Sequence, residues 1–561
     1  MKVARLQNWA GSGTPFIWIT ASAVAISLIM VVGLLSLLAF KGMGHFWPKQ
    51  VMQGNYNPPI ASRAIATSEF IGERVQFEAV AAEQLADNGF ALSLGVDTYQ
   101  RQLVKFGNRD LSESDFGWIV MEFTSDIAYP ADIVVLERRR WGNLYGYMES
   151  VLQQAKEVVP NAGDQSTDET LWQDFQQRLQ RTAQLLEEIS LLESRQLARI
   201  NRQIEQLRRQ QSRNELLISE PAQDLDADVR QLSLLESQYG DFQTRLNNLA
   251  EQVNRDSVRL ITANNQRIEI PLSEIIRAYR PNQLDFTEKL TLFMTKVLEF
   301  VADDPREGNT EGGIFPAIFG TVVMVLLMSM LVAPFGVIAA IYLREYARQG
   351  LLTRIIRIAV NNLAGVPSIV YGVFGLGFFI YIVGGEIDRQ FFAEALPAPT
   401  FGTPGLLWAS LTLALLTMPV VIVATEEGLA RVPRSLREGS LALGATKFET
   451  IVKVVFPIAS PAMMTGLMLA IARAAGTVAP LMLVGVVKLA PSLPVNGLYP
   501  YLHLNQKFMH LGYHIYGVGL QSPNTQAAMP LVFATALLLV AVIALLNFSA
   551  AVLRNRLREG L

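Results

Sequence analysis

Glu438-Gly439-Ser440-Leu441-Ala442-Leu443-Gly444, running on to Phe456-Pro457, is the stretch of this chain whose residue types could do the most specific work. The work would be mechanical. A compact element there could protrude, fit a cleft on a partner and pass force to the apolar segments on either side. A short helix, a tight turn and a second helix would serve. Glu438 stands where a carboxylate can cap or pair. Gly439, Ser440, Ala442 and Ala445 offer a low face for close approach, and Gly444 can take the positive φ of a turn. Pro457 opens the next apolar stretch, where its missing N–H costs little. The same residues also suit an ordinary loop with one helical turn, and composition leaves the two readings open.

Arg473 is the second candidate. It falls near the middle of an apolar stretch, 458–487, where an arginine costs at least about 2.5 kcal/mol on insertion scales. It must therefore face a cavity, a partner, a substrate or the carbonyls of a neighbouring segment, and its paired donors suit an oxyanion. Asn361 and Asn362, near one end of another apolar stretch, read either as path-lining amides or as helix-end caps. Gly365, Pro367, Gly372, Gly375 and Gly377 read as permitting close helix packing or a break. His510 and His514 have the i, i+4 spacing of a metal pair but no third ligand nearby, so no metal site is expected. Among Tyr499, Tyr501, Phe508, Tyr513 and Tyr516 they read as a lid or a surface for a solute-binding protein. Asp303 and Asp304 read as solvated, and no Ser/His/Asp set assembles. Without a Gly-x4-Gly-Lys-Ser/Thr string the chain is not expected to hydrolyse ATP or to be an enzyme.

The elements that must position these residues follow from hydropathy. Half of the residues are hydrophobic although the middle of the chain is long and polar, which points to several membrane spans and one large soluble insert. A net charge of -3 and the lack of a basic run interleaved with aromatics exclude a nucleic-acid partner. No cysteine is present, so disulfides, thiolate metal sites and cysteine nucleophiles are excluded together. Six apolar stretches meet the roughly 20 residues a span requires: 16–40, 314–342, 358–384, 402–425, 458–487 and 528–552. The first is too long for a signal peptide, lacks a small-residue cleavage site before Lys41, and reads as a retained anchor behind Lys2 and Arg5.

Basic residues orient the spans. Arg344, Arg348, Arg354 and Arg357 fall in one loop, Arg431, Arg434, Arg437, Lys447 and Lys453 in another, and Arg554, Arg556 and Arg558 at the tail. The positive-inside rule then puts both termini in the cytoplasm. The expected division is a cytoplasmic stretch 1–15, a transmembrane helix 16–40, an outward domain 41–313 and a five-helix core 314–561 with an inward loop 426–457.

Within the outward segment, runs between Val75 and Tyr147 such as Gln102–Phe106 and Trp118–Phe123, divided by Gly, Asn and Asp, predict a small β-rich unit. Beyond the breaker Pro160-Asn161-Ala162-Gly163 the chain turns to Gln, Glu, Arg and Leu. Leu232, Leu235, Tyr239, Phe242, Leu246, Leu249 and Val253 fall on one helical stripe, as do Leu197, Ile200, Ile204 and Leu207. Separated by Ser219-Glu220-Pro221, the two predict an antiparallel helical hairpin over about 168–255 that packs on itself. Val258–Thr262 and Arg267–Pro271 return the chain to strands before Pro281, so the hairpin is inserted into the β unit.

Spacing adds a resemblance. Type I ABC importer permeases carry Glu-Ala-Ala, three residues, Gly, nine residues and Ile-x-Leu-Pro, and this chain resembles that pattern with Glu438, Gly439, Ser440, Gly444, Val454, Phe456 and Pro457. Glu311–Ile318, Asn362–Gly372 and Ala470–Leu481 are similar to stretches of the PstA-type permeases of the phosphate importer, over a block from about residue 311 to the end. The large outward insert looks like a long-form addition. Where that family has Gly-Glu this chain has Gly476-Thr477, so the Glu has no counterpart in ionisable chemistry.

The resemblance implies a polytopic α-helical membrane protein of six transmembrane helices with a MetI-like core, joined to a periplasmic α+β domain. It implies a permease subunit passing inorganic phosphate across the bacterial inner membrane by alternating access. Glu438, Gly439, Ser440, Ala442, Gly444 and Pro457 would form the coupling loop, with Arg473, Thr477, Asn361 and Asn362 along the substrate path. The implied partners are a second, PstC-type permease, a PstB-type ATP-binding dimer that holds ATP and Mg, a periplasmic phosphate-binding protein and membrane lipid, with no cofactor in this chain. Sulfate or molybdate transport remains an alternative, as does a membrane-anchored periplasmic sensor or adaptor.

Overall fold

In the computed structural model the first helix, α1 (Thr14–Met43), is apolar on every side and exposed over most of its length, as a helix built to face lipid must be, with Gly42 at its end buried against Ala534. The structure describes residues 14–58, 69–87, 90, 97–109, 115–154, 156–160, 165–197, 199–201, 203–204, 207, 222–306, 311–393, 397–490, 492–496, 501–522 and 525–559. The chain divides into two units, one formed by Trp47–Thr295 and the other by Met1–Phe46 with Lys296–Leu561.

Among the described residues the first unit holds two antiparallel sheets. The five-stranded sheet is built from β1 (Val51–Tyr56), β2 (Glu69–Ala81), β3 (Thr98–Lys105), β4 (Phe116–Val120) and β5 (Thr124–Ala128), in the order β4-β3-β2-β1-β5. Short helix α2 (Ala82–Asp87) follows β2. The six-stranded sheet uses β6 (Val134–Arg138), β7 (Asn143–Gln153), β8 (Lys156–Pro160), β9 (Asp256–Ile261), β10 (Arg267–Pro271) and β11 (Ile275–Tyr279), in the order β10-β9-β7-β6-β11 with β8 paired to β7. Sheet structure thus begins at Val51, well before the predicted Val75, and β11 is a further strand that sequence reading missed.

Helices α3 (Gln165–Leu191) and α4 (Ala222–Val253) lie between β8 and β9, and β9 returns to β7 with Val258 opposite Val151. Leu171, Phe175 and Leu179 of α3 pack onto Val134, Leu136, Leu144 and Leu260 of the sheet. Farther along, Leu192, Leu246 and Leu249 close against Leu185, Ile189, Leu197 and Phe242, so the second predicted stripe meets Leu197 of the first and, in place of Ile200, Ile204 and Leu207, residues upstream of it. Tyr239 is the member of the stripe left exposed. The breakers Asn161-Ala162-Gly163 and Ser219-Glu220-Pro221 lie outside the described residues. At the base of the hairpin the carboxylate of Asp256 is buried among Arg178 at 3.1 Å, Arg255 at 2.7 Å and Arg181 at 3.7 Å.

Helix α5 (Phe286–Ala302) leads from this unit into the second. There follow α6 (Phe315–Ile341, continued by a π turn to Tyr346), α7 (Leu351–Leu363), α8 (Ser368–Phe391), α9 (Leu406–Ala430), α10 (Arg434–Ala442), α11 (Lys447–Gly476), α12 (Leu481–Val484), α13 (Leu511–Gln521) and α14 (Thr525–Glu559). Among the described residues six helices are long and apolar enough to cross a membrane: Phe16–Met43, Phe315–Tyr346, Ser368–Phe391, Leu406–Ala430, Lys447–Gly476 and Thr525–Arg556. Helix α9 is central, with Leu406, Trp408, Leu413, Leu416 and Val421 in the main apolar core beside Met324, Met328 and Val332 of α6. Small residues set the close contacts: a Cβ on Gly428 of α9 would meet Ala462 of α11 at 2.6 Å.

Two predicted spans are corrected. The stretch 358–384 is divided between α7 and α8 by the non-helical link Ala364-Gly365-Val366-Pro367. The stretch 458–487 holds a helix that starts earlier, at Lys447, and stops at Gly476 before the short α12. Hydropathy is blind to both, because apolar residues that bury well in a helix bury equally well in an irregular link inside a protein.

Candidate functional site

Helix α10 occupies the predicted loop. Pro433 lies before its first residue, and it closes with Gly444 at φ +88°, where Gly444 N donates to Leu441 O at 3.0 Å. Only a residue without Cβ adopts that conformation freely. The next helix starts on a capping box: Thr446 Oγ1 accepts from Glu449 N at 3.2 Å while Glu449 Oε2 accepts from Thr446 N at 2.9 Å. Of the two readings that composition left open, the helix–turn–helix is the one present. Its capping carboxylate is Glu449, whereas Glu438 is exposed and has no hydrogen bond or ion pair among the described residues. The string Thr446-x-x-Glu449 was a legible signal that the reading passed over. Pro457 does not open the helix either; it follows a π turn, Ile451–Val455, inside α11.

The outer surface of this element sets exposed apolar residues among the exposed charges Arg434, Glu438 and Lys447. Leu443 is 90% exposed, and Leu436, Leu441 and Phe448 are exposed with it, while Gly439, Ala442 and Gly444 leave the surface low. The inner surface is fastened. Ser440 Oγ meets Thr450 Oγ1 at 2.9 Å, and Arg437 Nη2 donates to Leu429 O at 2.6 Å at the end of α9. Arg437 also reaches Glu345 at 3.0 Å, and Lys447 Nζ donates to the Glu345 carbonyl and lies over the Tyr346 ring. Close by, Arg357 of α7 pairs with Glu426 of α9 at 3.0 Å.

The second site lies where two interrupted helices meet. Helix α9 serves as a ruler. Arg357 on α7 is level with Glu426, and Gly375 on α8 sits against Thr412. Those two levels are 426 − 412 = 14 residues of α9 apart, about 21 Å, so the link 364–367 interrupts a single rising path at mid-height. In α11, Gly466 packs against Ala424, and Arg473 lies seven residues, about 10 Å, farther along. Arg473 is thus in the last turn of α11, not mid-helix as read from the sequence, yet it is level with the middle of α9. Past the end of α11 the chain crosses to α8, where a Cβ on Gly372 would meet Pro480 at 2.7 Å.

Each half-helix that ends here leaves carbonyls to satisfy. Tyr371 Oη donates to Leu363 O at 2.8 Å, and Arg473 Nη2 donates to Ala364 O at 3.4 Å. That long bond is the one hydrogen bond the Arg473 guanidinium makes among the described residues, and the side chain is half-buried. Thr477 caps the turn by donating its hydroxyl to Arg473 O. Asn361 and Asn362 are exposed in the last turn of α7, three and two residues before Ala364, at the interruption and not at one end of a continuous span. The structure therefore gathers Arg473, Thr477 and the end of α7 at one junction.

His510 and His514 do not belong to an open loop. Both are buried, with His510 Nδ1 accepting from Gly512 N at 3.0 Å and His514 Nδ1 3.4 Å from Thr535 Oγ1. Phe508 is buried in the main core, and Leu511 N donates to Thr321 Oγ1 of α6 at 2.9 Å. The lid reading fails for this part of the segment; Tyr499 lies outside the described residues. Burial without a charge partner lowers the His510 pKa from 6.5 to about 4.

An apolar helical bundle with two broken helices meeting at mid-height, and a tethered helix–turn–helix at one end, defines the class of multi-spanning membrane transport subunits. Residues 332–559 match the family described as binding-protein-dependent transport system inner membrane component. Among curated relatives, phosphate transport system permease protein PstA 1 of Mycobacterium tuberculosis (strain CDC 1551 / Oshkosh) is 37% identical over 244 residues, 43% of this chain and 71% of that one. PstA of Pasteurella multocida (strain Pm70) is 30% identical over 199 residues, 35% of this chain and 64% of that one. A solved structure, the inward-facing MetNI methionine ABC transporter, aligns at 18% identity and a TM-score of 0.31 over 43% of this chain and 94% of that one. The chain belongs to the PstA-type permeases of the ABC importers.

Proposed function

We propose that this chain is the permease subunit of an ATP-driven importer that passes inorganic phosphate inward across the inner membrane by alternating access. The observation that carries the reading is the junction at Arg473. A guanidinium at mid-height of the bundle holds one long bond to a backbone carbonyl and keeps its other donors for an acceptor. Two half-helices end or begin beside it, the arrangement in which transporters seat an ion between rigid pieces that move. An oxyanion matches the donors in charge and geometry.

The exposed apolar element at α10 supports docking to a separate ATP-binding dimer of the PstB type, which would hold ATP and Mg. A PstC-type permease would complete the path, a periplasmic phosphate-binding protein would deliver the ion, and both termini would lie in the cytoplasm, as the arginine distribution favours. The test is uptake of labelled phosphate by the reconstituted complex with sulfate and molybdate as competitors. Arg473→Ala should abolish uptake while the complex still assembles. Undiminished uptake by that variant, or equal competition by sulfate, would remove the reading.

A further inference from the structure

We infer that Arg437 and Glu345 form the joint by which movement of α10 is passed to α6, making Arg437 a positioning residue for coupling; this rests on the transport reading above. Helix α10 is tied covalently to α9 and α11 through short links, so those two must follow it. Helix α6 has no such obligation, since Glu345 precedes Arg437 by 437 − 345 = 92 residues.

Beyond the apolar packing of Val337 and Ile341 on Val432, Val455 and Ala459, the polar ties from the docking element to α6 meet at Glu345, in the π turn that extends that helix, with Lys447 also over the Tyr346 ring. Arg437 Nη2 lies 3.0 Å from the Glu345 carboxylate, and Lys447, on the far side of the Gly444 turn, donates to the Glu345 backbone carbonyl. Lys447 and Arg437 thus hold one residue from both helices of the docking element. The pair is shielded, with side-chain exposures of 20% for Arg437 and 12% for Glu345. A shielded pair holds a defined geometry because separating it strands a charge. The same Arg437 Nη2 donates to Leu429 O, so a single guanidinium is hydrogen-bonded to the end of α9 and ion-paired with the end of α6, whose Glu345 Oε1 accepts no hydrogen bond among the described residues. Farther along, a Cβ on Gly336 of α6 would meet Val421 of α9 at 2.7 Å, so the two helices gripped at their ends are in direct contact along their length.

The test uses the full complex in proteoliposomes, with labelled inorganic phosphate uptake and ATP hydrolysis measured in the same vesicles. Arg437→Gln should leave the complex assembled and hydrolysing ATP while phosphate moved per ATP falls between about 5- and 150-fold. Arg437→Lys, which keeps the charge, should retain most of the ratio. An unchanged ratio in Arg437→Gln, or a Lys variant that falls as far as the Gln variant, overturns the joint. Because the chain has no cysteine, a second readout is clean: spin labels at Ser435→Cys and Arg348→Cys report whether α10 and the end of α6 move as one body on nucleotide trapping. One narrow distance in both states, broadened by Arg437→Gln, supports the joint. A distance that changes without the Arg437 substitution overturns it, whatever ion is carried. Failure of the unsubstituted complex to move phosphate would instead remove the transport reading and leave the distance pair to decide the joint.

Discussion

Replacing Gly444 with valine isolates the geometry of the docking element from its surroundings. Gly444 has φ +88°, and nothing lies within 4 Å of the position its Cβ would occupy, so the substitution meets backbone strain and no clash. An L-residue held in that left-handed region costs about 1–2 kcal/mol, and a β-branched one lies at the upper end. The chain relieves the strain by abandoning the turn, which gives up the bonds from Gly444 N to Leu441 O and Ala445 N to Ser440 O, at 3.0 and 3.2 Å. Because 1–2 kcal/mol is a factor of about 5–30 in population, affinity for the ATP-binding subunit should fall by about that factor. The bundle should keep its stability, since Gly444 is exposed. Asparagine, which enters the left-handed region with less strain, should bind closer to the native level than valine does. The assay is titration of the solubilised chain with purified ATP-binding subunit, followed by uptake in vesicles. Native affinity in the valine variant, or equal losses in valine and asparagine, would refute the reasoning.

Two further outcomes concern buried charge. His510 is held neutral, its folded pKa of about 4 lying below the ordinary 6.5 because burial disfavours the cation. A depressed histidine contributes stability that is present above the unfolded pKa and lost as pH falls from 6.5 toward 4. The transition temperature of the full chain should therefore drop through that window, by a part that His510→Phe removes, as thermal melts at pH 7 and pH 5 will show. Asp256→Asn should destabilise the sheet–hairpin unit by about 3–5 kcal/mol, because three guanidiniums lose their shared buried carboxylate. Partial exposure of Arg181 and Arg255 puts the value at the lower end, and faster amide exchange over β9 and the middle of α3 is the readout; unchanged exchange would contradict it.

Legibility followed the range of the interaction. The hairpin stripes were partly readable because a helix repeats every 3.6 residues: Leu197 does meet Phe242, Leu246 and Leu249, while Leu185, Ile189 and Leu192, upstream of the predicted stripe, supply the rest of the contact. The turn at Gly444 was readable because a positive φ selects glycine locally. Arg437, by contrast, looked like one more positive charge in an inward loop, because its partner Glu345 is on another helix far back in the chain and no local period links them. The aromatic segment around His510 was misread as exposed for the same reason: its burial is supplied by Thr321 of α6 and Thr535 of α14.

Composition and local pattern by themselves determined that this chain enters a membrane several times, carries a β-rich domain with a helical hairpin set into it, and places a glycine fit for a tight turn between two of its apolar stretches. Those properties depend on transfer from water and on backbone preference, which are sums over neighbouring residues. Only the tertiary structure decided that two apolar stretches break, that their broken ends meet at Arg473, and that α10 is riveted to a distant helix. Each depends on which carbonyl or carboxylate another segment brings within about 3 Å, and that distance is a property of packing.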